Sequence, residues 1–406
     1  MDARTVILKV VPKRLIIFAQ RTLSQCMRIV RRESLIESKY KYVVFSTKDR
    51  HTFFGYYDIL PFNDNDKIIY LKTIDSAHAA EIYVNNLLNT DERLITKTNA
   101  WNWQQGSRLR WFPGSDTKII FNDFDGTAFY SRIVDINSLE ERKLSFPIYD
   151  ISTNGLLGIS LDFTKLGYKR PGYGYNNLQY NDSFDTHDGI RIFSIEGDCL
   201  LKVISCSEIA EVMGVKEDTY NKWYVNHLSF SPSSDKFLFF FVIETGTSFK
   251  ASLLVYDITS ESIKVLEKNG KVSHYDWIDD ETILCTCYSS NGCHYNIYNV
   301  NNNTISVFNH KQLVSDGHPT CLSRQCLISD TYPDRDSYQL LFYATENSKR
   351  VIAKIFDKKS YSPELRTDLH PRLSKDHKYI SVDANINGKR NMILFNVAND
   401  DGEENK

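Results

Sequence analysis

Past residue 50 the chain alternates between short apolar runs and tight polar turns, and one junction keeps returning. A turn rich in Pro, Ser, Asn and Asp is followed at once by a run of β-branched and aromatic residues, the mark of a strand leaving a hairpin. The junction stands in LPFNDNDKIIYLKT at Pro61, WFPGSDTKIIFND at Pro113, DISTNGLLGISLDF at Thr153 and SFSPSSDKFLFFFV at Pro232. It returns in DWIDDETILCTCY at Ile278, CLSRQCLISDTY at Ser323 and RLSKDHKYISVDA at Ser374. Successive copies lie 52, 40, 79, 46, 45 and 51 residues apart, and most of these intervals suit a four-stranded propeller blade. Segments such as LLVYDITSESIKVLE and NIYNVNNNTISVF supply further hairpins. Long helical periods are nearly absent. A β-sandwich array or two β domains would use similar strands, but seven copies over the whole chain favour an all-β, seven-bladed β-propeller across 41–397.

The interval of 79 residues exceeds one blade and carries an insertion. KLGYKRPGYGYNNLQYNDSF (165–184) reads as a flexible Gly/Tyr/Asn loop, and SEIAEVMG as a short helix. Residues 1–40 form a separate basic segment. VILKVVPKRLIIFAQRTLSQCMRIVRR mixes apolar residues with Lys9, Lys13, Arg14, Arg21, Arg28, Arg31 and Arg32. A basic amphipathic helix of this kind packs on its own domain or lies on an anionic membrane, so peripheral membrane contact through 1–32 is one expectation. Its apolar stretch LIIFA is too short for a signal peptide core, and no run of about 20 apolar residues spans a bilayer. Residues 398–406 read as an acidic disordered tail.

Lys and Arg number 49 against 51 Asp and Glu, so no global field draws in nucleic acid. Aromatics make up 13% of the chain, which serves strands and carbohydrate sites alike. The eight cysteines lack the paired spacing of a zinc site. Cys285 and Cys287, two apart on one strand face, do not readily bridge. Reduced thiols make the cytoplasm the expected location, at the inner membrane periphery if the basic segment binds there.

Four histidines share a register. His227 in YVNHLSFSP precedes its junction by five residues, His274 in VSHYDWIDD by four, His318 in DGHPTCLSR by five and His370 in DLHPRLSK by four. In a propeller, loops entering equivalent strands converge on one mouth of the axial channel, so all four are expected in one pocket. A lone histidine reads as a core residue; four in register read as a metal or catalytic cluster, and imidazoles suit Mn, Fe, Ni or Zn. His51, His78, His187, His294, His310 and His377 lack the register and read mostly as surface residues. On the early blades, AWNWQQGSRLRWFPG offers Trp101, Trp103, Gln104 and Gln105, and HTFFGYYDILPF offers Tyr56, Tyr57 and Asp58. Trp stacks on sugar faces and Gln binds a metal or a hydroxyl, with core packing the competing role for the aromatics. The insertion adds Arg170, Tyr173 and Tyr175. Arg170, Arg366 and Arg372 are suited to bidentate carboxylate binding. Asp330 in SDTYPD reads as a turn-former.

The segments NHLSFSP, SHYDWIDD, GHPTCLSRQCLISD and DLHPRLSKDHKYISVDANINGKRNMILFNV resemble, in the same order, the later blades of oligogalacturonate lyase. That family is a seven-bladed propeller with a histidine-rich manganese site. FFGYYD, AWNWQQG and RPGYGY look closer to a group of uncharacterised bacterial WD40-like or lyase-like propeller proteins, which brings no activity with it. Position by position, the lyase resemblance implies that His227 is the catalytic base and that His274 and His370 are metal ligands. His318 matches a Ser-His segment of the family. Two departures stand out: the family's Glu after the second histidine is Tyr275, and its His-Pro-His-Pro segment keeps one histidine, His370. The implied activity is metal-assisted β-elimination on an acidic, uronic-acid-containing oligosaccharide or polysaccharide, with a divalent metal, manganese in the family. His274, His318, His370 and Gln105 form the expected metal set. Arg170 and Arg372 join His227 as the catalytic group, while Trp101, Trp103, Gln104, Tyr173, Tyr175 and Arg366 hold the sugar. A non-catalytic scaffold, or a glycan-binding or glycan-modifying protein, in capsule or exopolysaccharide biosynthesis is the alternative.

Overall fold

Each of the seven junctions folds as the hairpin between the first and second strands of a blade. The structure is a computed structural model that describes residues 35–398, apart from 75–76, 88–90, 182–187, 216–221, 247, 269–271, 291, 310, 335–336 and 358–364. The inner strands of blades 1 to 7 are His51–Phe53, Arg110–Trp111, Asp150–Ile151, Trp223–Phe230, Val272–Asp279, Thr320–Ser323 and Arg372–Leu373. All strand pairings within the blades are antiparallel, as the short connections require. The second strands are apolar on both faces because neighbouring blades cover them: Lys236–Thr245 buries Phe237 to Val242 without interruption.

The ring closes through its N-terminal strands. Lys41–Phe45 pairs with Lys389–Asn396 as the outer strand of blade 7. Ile36–Ser38 pairs with Lys349–Phe356 and gives blade 6 a fifth strand. The propeller therefore takes in residues from Ile36 onward. The basic helix expected over 1–32, with its membrane contact, and nearly all of the acidic tail lie outside the described residues. Among the described residues no helix is long and apolar enough to cross a membrane. The seven described cysteines are all free thiols.

The insertion after the second strand of blade 3 is more ordered than its glycines imply. Asp162 caps helix α1 (Phe163–Lys169), accepting from the Thr164 and Lys165 amides. Beyond α1 the chain folds back so closely that a Cβ on Gly174 would lie 2.1 Å from the Gly167 nitrogen. The expected short helix is α2 (Cys206–Met213), closed by a Ser205–Glu208 capping box and left-handed Gly214. Inner strands start, and second strands end, on the same face of a propeller, so the insertion comes to lie over the histidine end of the channel. Gln104 N–H donates to Gly172 across 3.3 Å, and Asn102 Nδ2 to Tyr173 across 2.9 Å.

The channel itself is plugged by FFGYYD. Tyr57 reaches from blade 1 to blade 5, where its hydroxyl donates to the Tyr275 carbonyl and accepts from the Tyr275 amide. Asp58 takes a bidentate ion pair from Arg108 at 3.1 and 2.9 Å, which is buried throughout. Asp383 of blade 7 accepts from the amides of Phe54 and Gly55.

Candidate functional site

The four histidines meet. Ring centroids of His274 and His318 lie 4.1 Å apart, and those of His318 and His370 lie 4.4 Å apart. His227 stands on the far side of Tyr56, stacked on its ring at 5.3 Å, while Tyr56 also touches His370 edge-on at 4.8 Å. Local backbone irregularities aim these side chains. His227 lies where the register of blade 4's inner strand shifts, and His274 where that of blade 5 shifts; such bulges turn a side chain out of the strand's alternation. His227 and His370 also adopt left-handed backbone, with φ of 57° and 48°. Outside glycine that conformation costs about 1 kcal/mol or more and collects at functional sites.

Each ring of the close trio is tethered through Nδ1. His318 Nδ1 lies 2.8 and 2.9 Å from the Asp330 oxygens. His274 Nδ1 lies 3.0 Å from Asp316, and His370 Nδ1 lies 2.8 Å from the Gly55 carbonyl. A ring fixed in this way presents Nε2 as its free nitrogen, the arrangement of metal-binding histidines. Burial holds His370 well below the usual imidazole range, with His318 and Arg372 adding to the effect. Burial likewise outweighs Asp316 and lowers His274. In His318 burial is overridden by Asp330, and the pKa is raised. Against its own burial, Asp316 is held ionised by His274 and by hydrogen bonds from Tyr288 and Ser273. His227 is also pushed well toward neutrality, by burial and then by His274, Arg170, Arg108 and His318.

A donor set emerges that the four-histidine register did not contain. Ligand atoms of His318, Asp368 and His370 all lie within 4.8 Å of one another, and all three residues are buried. The Nε2 atoms of His318 and His370 are buried with no hydrogen-bond partner. Two imidazoles and a carboxylate suit a borderline-to-hard divalent cation such as Mn, Fe or Zn, so these residues fit a metal. Arg366 grips Asp368 from Nε at 2.8 Å and Nη2 at 2.7 Å. Asp368 stands two residues ahead of His370, where the family's His-Pro-His-Pro segment has its first histidine; that spacing was the available signal for it.

Several expected site residues are engaged elsewhere. Gln105 donates from Nε2 to the Tyr149 hydroxyl, which in turn receives the His227 amide, and its Oε1 is buried without a hydrogen-bond partner. Arg372 is fully buried, its guanidinium paired with Asp383 at 2.9 Å and bound to the Gly55 carbonyl at 3.1 Å. Arg366 is tied to Asp368 and lies over Tyr332. Gln104 Nε2 donates to the Arg366 carbonyl. Tyr175 is core, bonded to Asn122 and stacked on Phe163. Trp101 and Trp103 pack edge to face beside Phe53 and line a pocket of about 290 Å³ with His78 and Asn177. His51 is buried against Trp103 rather than exposed. Tyr173 and Arg170 do reach the site. Tyr173 touches both Tyr56 and His227, and Arg170 lies over Tyr173 with no carboxylate partner among the described residues. Asp330, read as a turn-former, is 1% exposed and holds the amides of both His318 and His370 as well as the His318 ring.

No protein-family model matches the chain, and no curated protein matches it. Among solved structures it is similar to an oligogalacturonate lyase in complex with manganese, at 12% identity and a TM-score of 0.61, over 89% of this chain and 98% of that one. An oligogalacturonate lyase from Vibrio parahaemolyticus is similar at 11% identity and a TM-score of 0.61, over 91% and 99%. The β-propeller domain of the trilobed protease from Pyrococcus furiosus is similar at 11% identity and a TM-score of 0.52, over 87% and 96%. Likeness at these identities is likeness of fold, and by that measure the chain is a seven-bladed β-propeller over nearly its whole length.

Proposed function

We propose that the protein is a metal-dependent lyase that cleaves a uronic-acid-containing glycan by β-elimination. The observation that carries this reading is the convergence of His318, Asp368 and His370 donor atoms within 4.8 Å, beside a neutral His227 whose Nδ1 is buried and unpartnered. The C5 proton of a uronate is weakly acidic because its carboxylate can take up the charge. A divalent cation held by His318, Asp368 and His370 would supply Lewis-acid stabilisation of that charge. Arg170, which has no carboxylate partner among the described residues, binds the sugar carboxylate. His227 Nδ1 takes the C5 proton. Burial and cationic neighbours oppose charge on His227, so its uptake of a proton calls for a negative charge alongside, and the substrate carboxylate at Arg170 provides it.

Two measurements test the reading. Purified protein should carry stoichiometric divalent metal, lost in His370→Ala. With oligomers of galacturonate, glucuronate or mannuronate it should release a product with the ultraviolet absorbance of a C4=C5 unsaturated uronate. A metal-free wild type that produces no such absorbance would leave the propeller as a glycan-binding or assembly scaffold.

A further inference from the structure

Four buried polar atoms around one ring have no hydrogen-bond partner: Tyr56 Oη, His227 Nδ1, His318 Nε2 and His370 Nε2. Tyr56 is the ring they share. It stacks on His227 at 5.3 Å with 18° between planes, meets His370 at 4.8 Å and His318 at 6.2 Å, and touches Tyr173 at 6.0 Å. The other tyrosines of the plug and its wall have engaged hydroxyls. Tyr57 donates to the Tyr275 carbonyl, Tyr275 donates toward Asp58 at 3.4 Å, and Tyr149 serves Gln105, Asn226 and the His227 amide. A buried hydroxyl without a partner is costly, and a group brought in from outside relieves it.

We infer that Tyr56 is the proton donor to the leaving glycosidic oxygen, acting from the same pocket as His227. This rests on the lyase reading of the site and adds the half of the reaction that reading leaves open. The C5–H bond breaks and its proton goes to His227 Nδ1. The electron pair becomes the C4=C5 double bond, and the C4–O4 bond breaks with its pair on O4. The Tyr56 hydroxyl proton passes to O4, giving a free sugar hydroxyl. Once product leaves, His227 releases its proton to water and the phenolate takes one back, so atoms and charge balance over the cycle with no further reactant. Arg170 is a poor alternative donor, since a guanidinium does not release its proton in proteins.

The test is Tyr56→Phe, which removes one oxygen and keeps the stacked ring. Turnover of natural oligouronates should fall at least about 100-fold, while metal content stays at the wild-type level and C5–H exchange into D2O continues. On a synthetic uronate bearing a 4-nitrophenyl ether at C4, whose phenolate departs without a proton, turnover should recover to within about tenfold of wild type. Equal loss on both substrates, or no loss on the natural one, would overturn the role. A wild type that yields no unsaturated product from any of these uronates sinks the underlying lyase reading, and Tyr56's part in it falls with it.

Discussion

The ring of His370 is held by the carbonyl of Gly55, 2.8 Å away and 315 residues earlier in the chain. The same carbonyl receives Arg372 Nη2 at 3.1 Å, and the Gly55 amide is held by Asp383 at 3.0 Å. Arg372 and Asp383 are themselves paired at 2.9 Å with both side chains fully buried. One glycine of blade 1 thus orients a histidine of the candidate metal cluster contributed by blade 7.

Gly55 has no substitute at that place. Its φ is +129°, and a Cβ there would lie 2.8 Å from the Gln105 carbonyl carbon and 2.9 Å from the Gly106 nitrogen, both backbone. Gly55→Ala should cost on the order of 2 kcal/mol or more, read as a lowered denaturant midpoint. It should also lower metal content, because the His370 tether moves with the backbone. A variant with wild-type stability and metal content would contradict this.

Asp330 orients two donors at once. Asp330→Asn keeps the shape but removes the charge that fixes His318. Loss of such an outer partner typically weakens metal affinity about 10–100-fold. Titration with Mn²⁺, followed by its paramagnetic resonance signal, should show that loss with the fold retained.

The arginines should separate by role. Arg372→Met strands Asp383 as a buried, unpaired charge, so it should destabilise by about 3–5 kcal/mol. Arg170→Lys removes only the fork geometry. It should leave the thermal midpoint close to wild type while raising KM for a uronate about tenfold or more. If the two variants exchange these behaviours in melting and steady-state assays, the assignment is wrong.

Acid stability offers an independent check on blade 1. Burial alone would raise the Glu81 carboxyl, but hydrogen bonds from Lys97, Tyr83 and Arg50 override it and lower the pKa. The folded value then lies below the unfolded one. Its stabilisation is complete above the unfolded carboxylate range and is lost as pH falls through the folded value. Glu81→Gln should therefore be less stable than wild type at neutral pH, by about 1 kcal/mol or less. The gap should narrow as pH falls below the unfolded carboxylate range and close once the carboxylate is protonated in the folded state too, in denaturant melts across pH.

The blades were legible because each repeats a turn chemistry and a doubly buried strand, and both leave marks on every copy. The histidine register was legible for the same reason: the rings enter from equivalent positions on consecutive blades. Their partners were not. Asp316 stands beside Gly317, Asp330 beside Thr331 and Asp368 beside Thr367, with no shared pattern, and only the folded ring reveals that Asp330 is buried between two histidines. Arg372 looked like a substrate clamp because nothing local shows that Asp383, eleven positions on, turns back toward it. Helix α1 was hidden by Gly167, which permits a close crossing with Gly174 rather than a flexible loop.

The fastening of Ile36–Ser38 and Lys41–Phe45 onto blades 6 and 7 has a consequence for biosynthesis. As the polypeptide leaves the ribosome, its earliest strands must wait for Lys349–Phe356 and Lys389–Asn396 before they gain partners. Gly55 waits likewise for His370. The cluster of His318, Asp368 and His370 therefore assembles only after blade 7 has been made, and a chain stopped before Lys389 lacks the clasp of that blade.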